Sequence, residues 1–204
     1  MQLIPTPQEV TALLRKTGAL RNGHFEYPRG LHADEYLQVP LAMRYYPIAK
    51  TLSVALSRLV RANTEIRAII PELSIVSPGT GGLPVAYGVC EALRAHRVYW
   101  AEREVGNAPM RFRQFLEIQQ GEKILLVDDI VRSGRQLWEL KELVESQGGE
   151  VVGLAAIIYQ PTPATLSFAP LPFYSLATLD GLYYKDASSC EMCKRGAPIQ
   201  KVWI

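Results

Sequence analysis

Short apolar runs punctuate the chain at residues 73–76, 98–101, 124–127, 150–158 and within 171–179. Runs of that length, bounded by turn residues, predict strands buried on both faces, as in a parallel sheet. Between them apolar residues recur at helical spacing: Val10, Leu13 and Leu14; Ile48, Leu52, Leu56, Leu59 and Val60; Val85, Val89, Cys90 and Leu93; Leu137, Leu140, Leu143 and Val144. The first helix has its start written out, with Thr6 as N-cap, Pro7 in the first turn and Glu9 closing a capping box. Gly18 stops it, and Gly148-Gly149 stop the last of the four. Residues 18–41 follow neither period. Extended pieces at 23–27 and 35–39 predict a small flap outside the main sheet.

Residues 123–137, KILLVDDIVRSGRQL, concentrate the candidate chemistry. An apolar strand runs into Asp128 and Asp129, then a polar turn, Arg132-Ser133-Gly134-Arg135, opens a helix. In open α/β sheets ligands bind beyond the carboxyl ends of strands. A loop entering a helix presents unpaired N–H groups and a positive dipole end, and Ser133 adds a hydroxyl while Gly134 permits close backbone approach. That is a phosphate cradle. Two carboxylates beside it would repel a bare phosphate, so they suit sugar hydroxyls or a hydrated cation. Together these features describe a ribose 5-phosphate site. The plainer reading is a strand end solvated by its acids, with Ser133 capping the helix.

A second loop, Ser77-Pro78-Gly79-Thr80-Gly81-Gly82-Leu83-Pro84, can wrap an anion with main-chain N–H groups, or can simply turn a strand into a helix. It lacks the Gly-Lys-Ser/Thr of a Walker loop, and Pro84-Val85 replace the third glycine of a dinucleotide fingerprint. Residues 102–113, EREVGNAPMRFR, read as a mobile polar loop with Arg103, Arg111 and Arg113, or as a solvated basic one. Cys190 and Cys193 form a C-x-x-C pair. Zinc needs four ligands and no second pair exists, and a redox pair belongs at a helix start near the sheet.

The totals narrow the classes without choosing among them. At 204 residues and 48% apolar, the chain suits one domain with a sizeable core. A net charge of +2 implies no nucleic-acid partner. No apolar run reaches membrane-span length, the first residues lack a signal-peptide pattern, and three cysteines do not make a secreted disulfide scaffold. A soluble cytoplasmic α/β protein is expected.

Residues 123–137 resemble the phosphoribosyl pyrophosphate motif of type I phosphoribosyltransferases, with Arg132, Arg135 and Gln136 where that family usually has Thr, Gly and Thr or Ser. SPGTGGLPVAYGV resembles the pyrophosphate loop of orotate phosphoribosyltransferases. Gly18-Ala19-Leu20, Gly23-His24-Phe25, Gly30, His32, Asp34 and Tyr36-Leu37 resemble their N-terminal hood, and AERE followed by RFR a short form of their flexible loop. The terminal C-x-x-C-x-x-G matches one subgroup, which marks the pair as lineage more than chemistry. The resemblance implies one phosphoribosyltransferase domain over 1–204, with a mostly parallel central sheet flanked by helices (about 42–179). Its hood would come from about 18–41 and 180–204.

It also implies roles. Thr80, Gly81, Gly82, Val131, Arg132, Ser133, Gly134, Arg135 and Gln136 would bind phosphoribosyl pyrophosphate. Asp128, Asp129 and Arg103 would be catalytic, with Arg103 reaching a partner subunit's pyrophosphate in a homodimer of shared sites. Magnesium would be held through substrate near the acids, with no direct protein ligand. A Lys and a later Arg that contact the base in family members are replaced by Pro28 and by Tyr159-Gln160, leaving Arg29 and Phe25 as base-site candidates. The implied reaction joins orotate to phosphoribosyl pyrophosphate, giving orotidine 5′-phosphate and pyrophosphate in pyrimidine synthesis. A phosphoribosyltransferase for another base, or a regulator that binds phosphoribosyl pyrophosphate without turnover, are the alternatives.

Overall fold

The computed structural model describes residues 4–104 and 108–202, with Arg29 described in its backbone only. In chain order the elements begin with α1 (Pro7–Lys16), β1 (Leu20–Glu26), β2 (His32–Leu37), α2 (Pro40–Met43), α3 (Tyr46–Ala62) and α4 (Thr64–Ile69). Next come β3 (Ser74–Pro78), α5 (Leu83–Leu93), β4 (Arg97–Glu102), β5 (Arg111–Phe112), β6 (Lys123–Val131) and α6 (Arg135–Ser146). β7 (Glu150–Tyr159), β8 (Phe173–Thr178), β9 (Tyr183–Tyr184), α7 (Glu191–Lys194) and β10 (Gln200–Lys201) complete the chain.

The main sheet has the order β5-β4-β3-β6-β7-β8 and is parallel except at β5. Successive residues of β6 serve opposite faces. Leu125 and Val127 join the core formed with α1, α3 and α5, whereas Ile124 and Leu126 join the core under α6. Burial on both faces explains why β6 reads as an unbroken apolar run. It also puts Asp128 and Asp129 within the strand, three and two residues before its end at Val131, and not beyond it. The capping box at Thr6 forms as its sequence predicts: Thr6 Oγ1 accepts from Glu9 N–H at 3.2 Å, and Glu9 Oε2 accepts from Thr6 N–H at 2.7 Å.

The second sheet, β10-β1-β2-β9, is the flap. β1 and β2 pair as an antiparallel hairpin with a bulge between Asn22 and Phe25. Residues from the other end of the sequence close both its edges: β10 runs parallel to β1, and β9 antiparallel to β2. Its apolar core is small, with Phe25, Tyr27 and Ala33 buried and Tyr36, Tyr183 and Val202 packed against them.

One element differs from its sequence reading. Residues 102–113 are not simply a loop: β4 and β5 form a short hairpin, Ala101 opposite Phe112 and Glu102 opposite Arg111. Its arginines hide the pairing, because β5 is a two-residue edge strand with Arg111 in water and only Phe112 turned to the core.

Candidate active site

The two candidate anion loops meet because β3 and β6 are sheet neighbours. Asp128 is buried, and its Oδ1 accepts the Asp129 N–H at 2.8 Å; Asp129 Oδ1 accepts the Ile130 N–H at 2.9 Å. The glycine loop lies against them. A Cβ on Gly81 would stand 3.1 Å from both carboxylate oxygens of Asp129. One on Gly82 would stand 2.9 Å from Asp128 Oδ1 and collide with Ser77 Oγ. Glycine is therefore required there by packing as well as by ligand approach. Burial, then the neighbouring Asp129 charge, pushes the Asp128 carboxyl well above the usual aspartate range, and burial also raises Asp129. Arg132 opposes both shifts. Such a pair is poised to receive positive charge or hydroxyl donors.

Both helices behind the loops start open. Gly82 and Gly134 stand at the N-cap positions of α5 and α6, and no side chain caps either helix. Gly134 takes φ 74°, and a Cβ there would meet the Phe168 ring at 3.0 Å and the Leu166 carbonyl at 3.4 Å. The loop is braced from behind, since Ser133 O accepts from Leu166 N–H at 3.0 Å and Arg132 O from Thr165 Oγ1 at 2.6 Å. Ser133 Oγ accepts weakly from Arg135 N–H at 3.4 Å, while Arg135 and Gln136 are exposed. The first turn of α6 thus keeps main-chain donors for an anion.

Not every expected residue faces this site. Val131 is buried, and its carbonyl accepts from Gln160 N–H at 2.8 Å, so it braces the strand end. Phe25 is spent in the small flap core, and the side chain of Arg29 lies outside the described residues. Arg103 folds onto its own chain. It makes a two-pronged ion pair with Glu139 of α6 and donates to Ala108 O at 2.6 Å, and Glu139 Oε1 also accepts from Met110 N–H at 2.8 Å. Arg103, Thr80 and Gln136 nonetheless wall one cavity of about 370 Å³, completed by Gly79, Ala101, Glu102 and Met110.

Arg132 departs furthest from its expected role. It donates through Nε to Gln160 Oε1 at 2.9 Å and through Nη2 to Leu37 O at 3.4 Å, and Tyr183 OH donates to the same Gln160 oxygen at 2.7 Å. It belongs less to the phosphate than to a polar junction between core and flap. Gln160 is missed as a site residue by sequence reasoning because it reads as a replacement for an expected Arg. Gln160→Leu removes the shared acceptor of two half-buried donors, Arg132 and Tyr183, and is expected to reduce stability by about 1 kcal/mol, read from the midpoint of urea unfolding.

A second cluster lies inside the flap. His24, His32, Cys190 and Cys193 bring their ligating atoms within 4.8 Å of one another. The sequence reading found no second pair of ligands for Cys190 and Cys193; the fold supplies one. Histidines about 160 residues away supply the other half.

Residues 55–168 match the phosphoribosyl transferase domain model. The chain belongs to the phosphoribosyltransferase family. It is 33% identical over 183 residues to the orotate phosphoribosyltransferase of Carboxydothermus hydrogenoformans, covering 90% of each chain. It is 31% identical over 192 residues to that of Thermotoga maritima, covering 94% of this chain and 96% of the relative. Solved structures share the fold: orotate phosphoribosyltransferase from Aeropyrum pernix superposes with a TM-score of 0.66 at 19% identity, over 83% of this chain and 93% of that one. Adenine phosphoribosyltransferase from Leishmania donovani gives 0.61 at 17%, over 83% and 79%. The fold is thus shared with phosphoribosyltransferases named for different bases.

Proposed function

We propose that the chain is an orotate phosphoribosyltransferase, an enzyme of pyrimidine nucleotide synthesis that takes phosphoribosyl pyrophosphate and orotate. The carrying observation is the acid pair set between a glycine loop and an uncapped helix start, on a chain whose curated relatives at about a third identity are named for that activity. The α6 N-terminus with Ser133 holds the 5-phosphate, Asp128 and Asp129 accept from the ribose hydroxyls, and the glycine loop takes the pyrophosphate. As the bond from C1′ to pyrophosphate oxygen breaks and the bond to the orotate nitrogen forms, charge grows on pyrophosphate. The amides of residues 80–82 stabilise it, joined by Arg103 of the partner subunit. The proton on that ring nitrogen goes to the departing pyrophosphate or to solvent.

Magnesium belongs to this reading. The ion would be held through substrate and water, with the carboxylates of Asp128 and Asp129 nearby as the oxygen-rich surroundings that suit a hard cation. When bound, the ion screens the pyrophosphate charge. The working unit is a homodimer, supported by the exposed Tyr46 and Tyr87 on the α3 and α5 side, with Arg103 released from Glu139 to serve the partner's site. Three free cysteines suit a reducing compartment, the cytoplasm. Among the described residues no helix is long and apolar enough to cross a membrane.

The test is product formation from orotate, uracil, adenine and hypoxanthine under the same phosphoribosyl pyrophosphate and magnesium. Orotate turnover alone is expected. Turnover with a purine and none with orotate would transfer the protein to another base, and tight phosphoribosyl pyrophosphate binding without turnover on any base would make it a sensor.

A further inference from the structure

The flap presents a mechanical problem. Two of its four strands are two residues long, and among the described residues its own apolar cluster buries only Phe25, Tyr27 and Ala33, since Leu20 and Leu37 pack into the main core instead. A core that small rarely holds a sheet without a staple, whether disulfide or metal. Across the cluster, Cys193 Sγ lies 3.5 Å from His24 Nε2 and 3.4 Å from His32 Nδ1, and Cys190 Sγ lies 3.5 Å from His24 Nε2. Zinc–sulfur and zinc–nitrogen bonds of about 2.3 and 2.0–2.1 Å at a tetrahedral angle give a sulfur–nitrogen edge of about 3.5 Å. These three spacings match the sulfur–nitrogen edges of a tetrahedron around a zinc ion, while His24 Nε2 and His32 Nδ1 stand 2.9 Å apart, closer than two nitrogen ligands of one zinc, and must part slightly to admit it.

The protonation states agree. His24 Nδ1 stands 3.0 Å from the carbonyl of Ala197, which can only accept. The proton must therefore sit on Nδ1, leaving the Nε2 lone pair aimed into the cluster, the second-shell arrangement usual for ligating histidines. His24 and His32 are 4% and 3% exposed and Cys190 fully buried. Two thiolates and two neutral imidazoles cancel a divalent charge, so the loaded cluster is neutral and suits burial. We propose that His24, His32, Cys190 and Cys193 bind one structural zinc ion, which staples the β1–β2 hairpin to the α7 segment of the flap. Four protein ligands close the coordination shell, so the site leaves no open position for catalysis. This site stands independently of the base the enzyme uses.

The α7 segment reaches the cluster by its local geometry. Cys190 is the N-cap of α7 and Cys193 lies one turn on, so both sulfurs point to one side. Ala197 N–H then donates to Met192 O at 3.0 Å, turning the chain so that Ala197 O meets His24 and β10 reaches β1. The staple thus acts at the point where the flap depends most on residues remote in sequence.

The experiment uses full-length protein without an affinity tag, purified under reducing conditions. Elemental analysis is expected to give about one zinc per chain, and Cys190→Ser/Cys193→Ser protein none. Cobalt loading of the wild type should produce tetrahedral d–d absorption with thiolate charge-transfer bands, absent from the double variant. Lys194, Arg195 and Lys201 offer trypsin its cuts in this segment. Chelation is expected to speed cleavage there at least tenfold, and zinc to reverse it. Wild-type protein without zinc and without the cobalt bands, or with Cys190 and Cys193 recovered as a disulfide, would overturn the site. Zinc present but trypsin protection unchanged on its removal would overturn the stapling role.

Discussion

Asp128→Asn/Asp129→Asn protein is expected to lose phosphoribosyl pyrophosphate binding by a hundredfold or more while unfolding at an equal or higher temperature. The loss follows from removing two charged acceptors; at about 1.5–3 kcal/mol for each charge-assisted hydrogen bond, the pair accounts for a factor of 10²–10⁴. The stability expectation follows from the same site without ligand. Both carboxyls have pKa values raised by burial, Asp128 further by its neighbour. A folded-state pKa above the unfolded value means the folded protein binds the proton more tightly. Stability then falls as pH rises above the ordinary aspartate value of 3.8. Asn in both positions removes that loss, so the gap between variant and wild type should widen from pH 4 to pH 7 in thermal melts. Calorimetric titration with phosphoribosyl pyrophosphate and magnesium checks the binding half. Unchanged affinity in a folded double variant would remove the acids from the ribose.

Gly134→Val carries the second large effect. The residue sits at φ 74°, with the Phe168 ring and the Leu166 carbonyl already within 3.4 Å of where a Cβ would be. Left-handed backbone at a β-branched residue costs about 1–3 kcal/mol, and the collision with Phe168 adds to it. The loop must shift, and the α6 amides with it. Affinity for phosphate alone should disappear, kcat/KM should fall by two orders of magnitude or more, and the melting temperature should drop by several degrees. Gly134→Ala separates the effects, because its single methyl retains the strain without the branched bulk. An intermediate loss of kcat/KM is expected, and activity at the wild-type level would show that the loop tolerates displacement.

How much of this could be read from the chain depends on the range of the interactions. The α6 start, the glycine loop and the acid pair were legible because each is a local event, a strand ending, a turn and a helix beginning within fifteen residues. The capping box at Thr6 was legible for the same reason. Arg132 was not: sequence places it beside Ser133 and so on the phosphate, whereas its partners Leu37 and Gln160 come from opposite sides along the chain. Nor was Arg103, whose loop position suggested freedom but whose partner Glu139 lies on the solvent side of α6. The zinc ligands show the limit most clearly. His24-x7-His32 and Cys190-x2-Cys193 are each half of a site, and the pairings of β10 with β1 and of β9 with β2 bring the halves together.

Those pairings also order the events of synthesis. Residues 20–37 leave the ribosome early, yet the strands that cover both edges of their hairpin, at 183–184 and 200–201, come about 150 residues later. For that interval the nascent chain carries a two-stranded ribbon with both edges bare, a surface prone to pairing with other chains. The two anion loops, within residues 77–136, wait for β7, β8 and the brace at Thr165 and Leu166, all of which precede the strands that close the flap. Newly made protein should therefore pass through a stage at which the main sheet is paired and the flap is not, and chaperones that recognise exposed strand edges would find their target in its first forty residues.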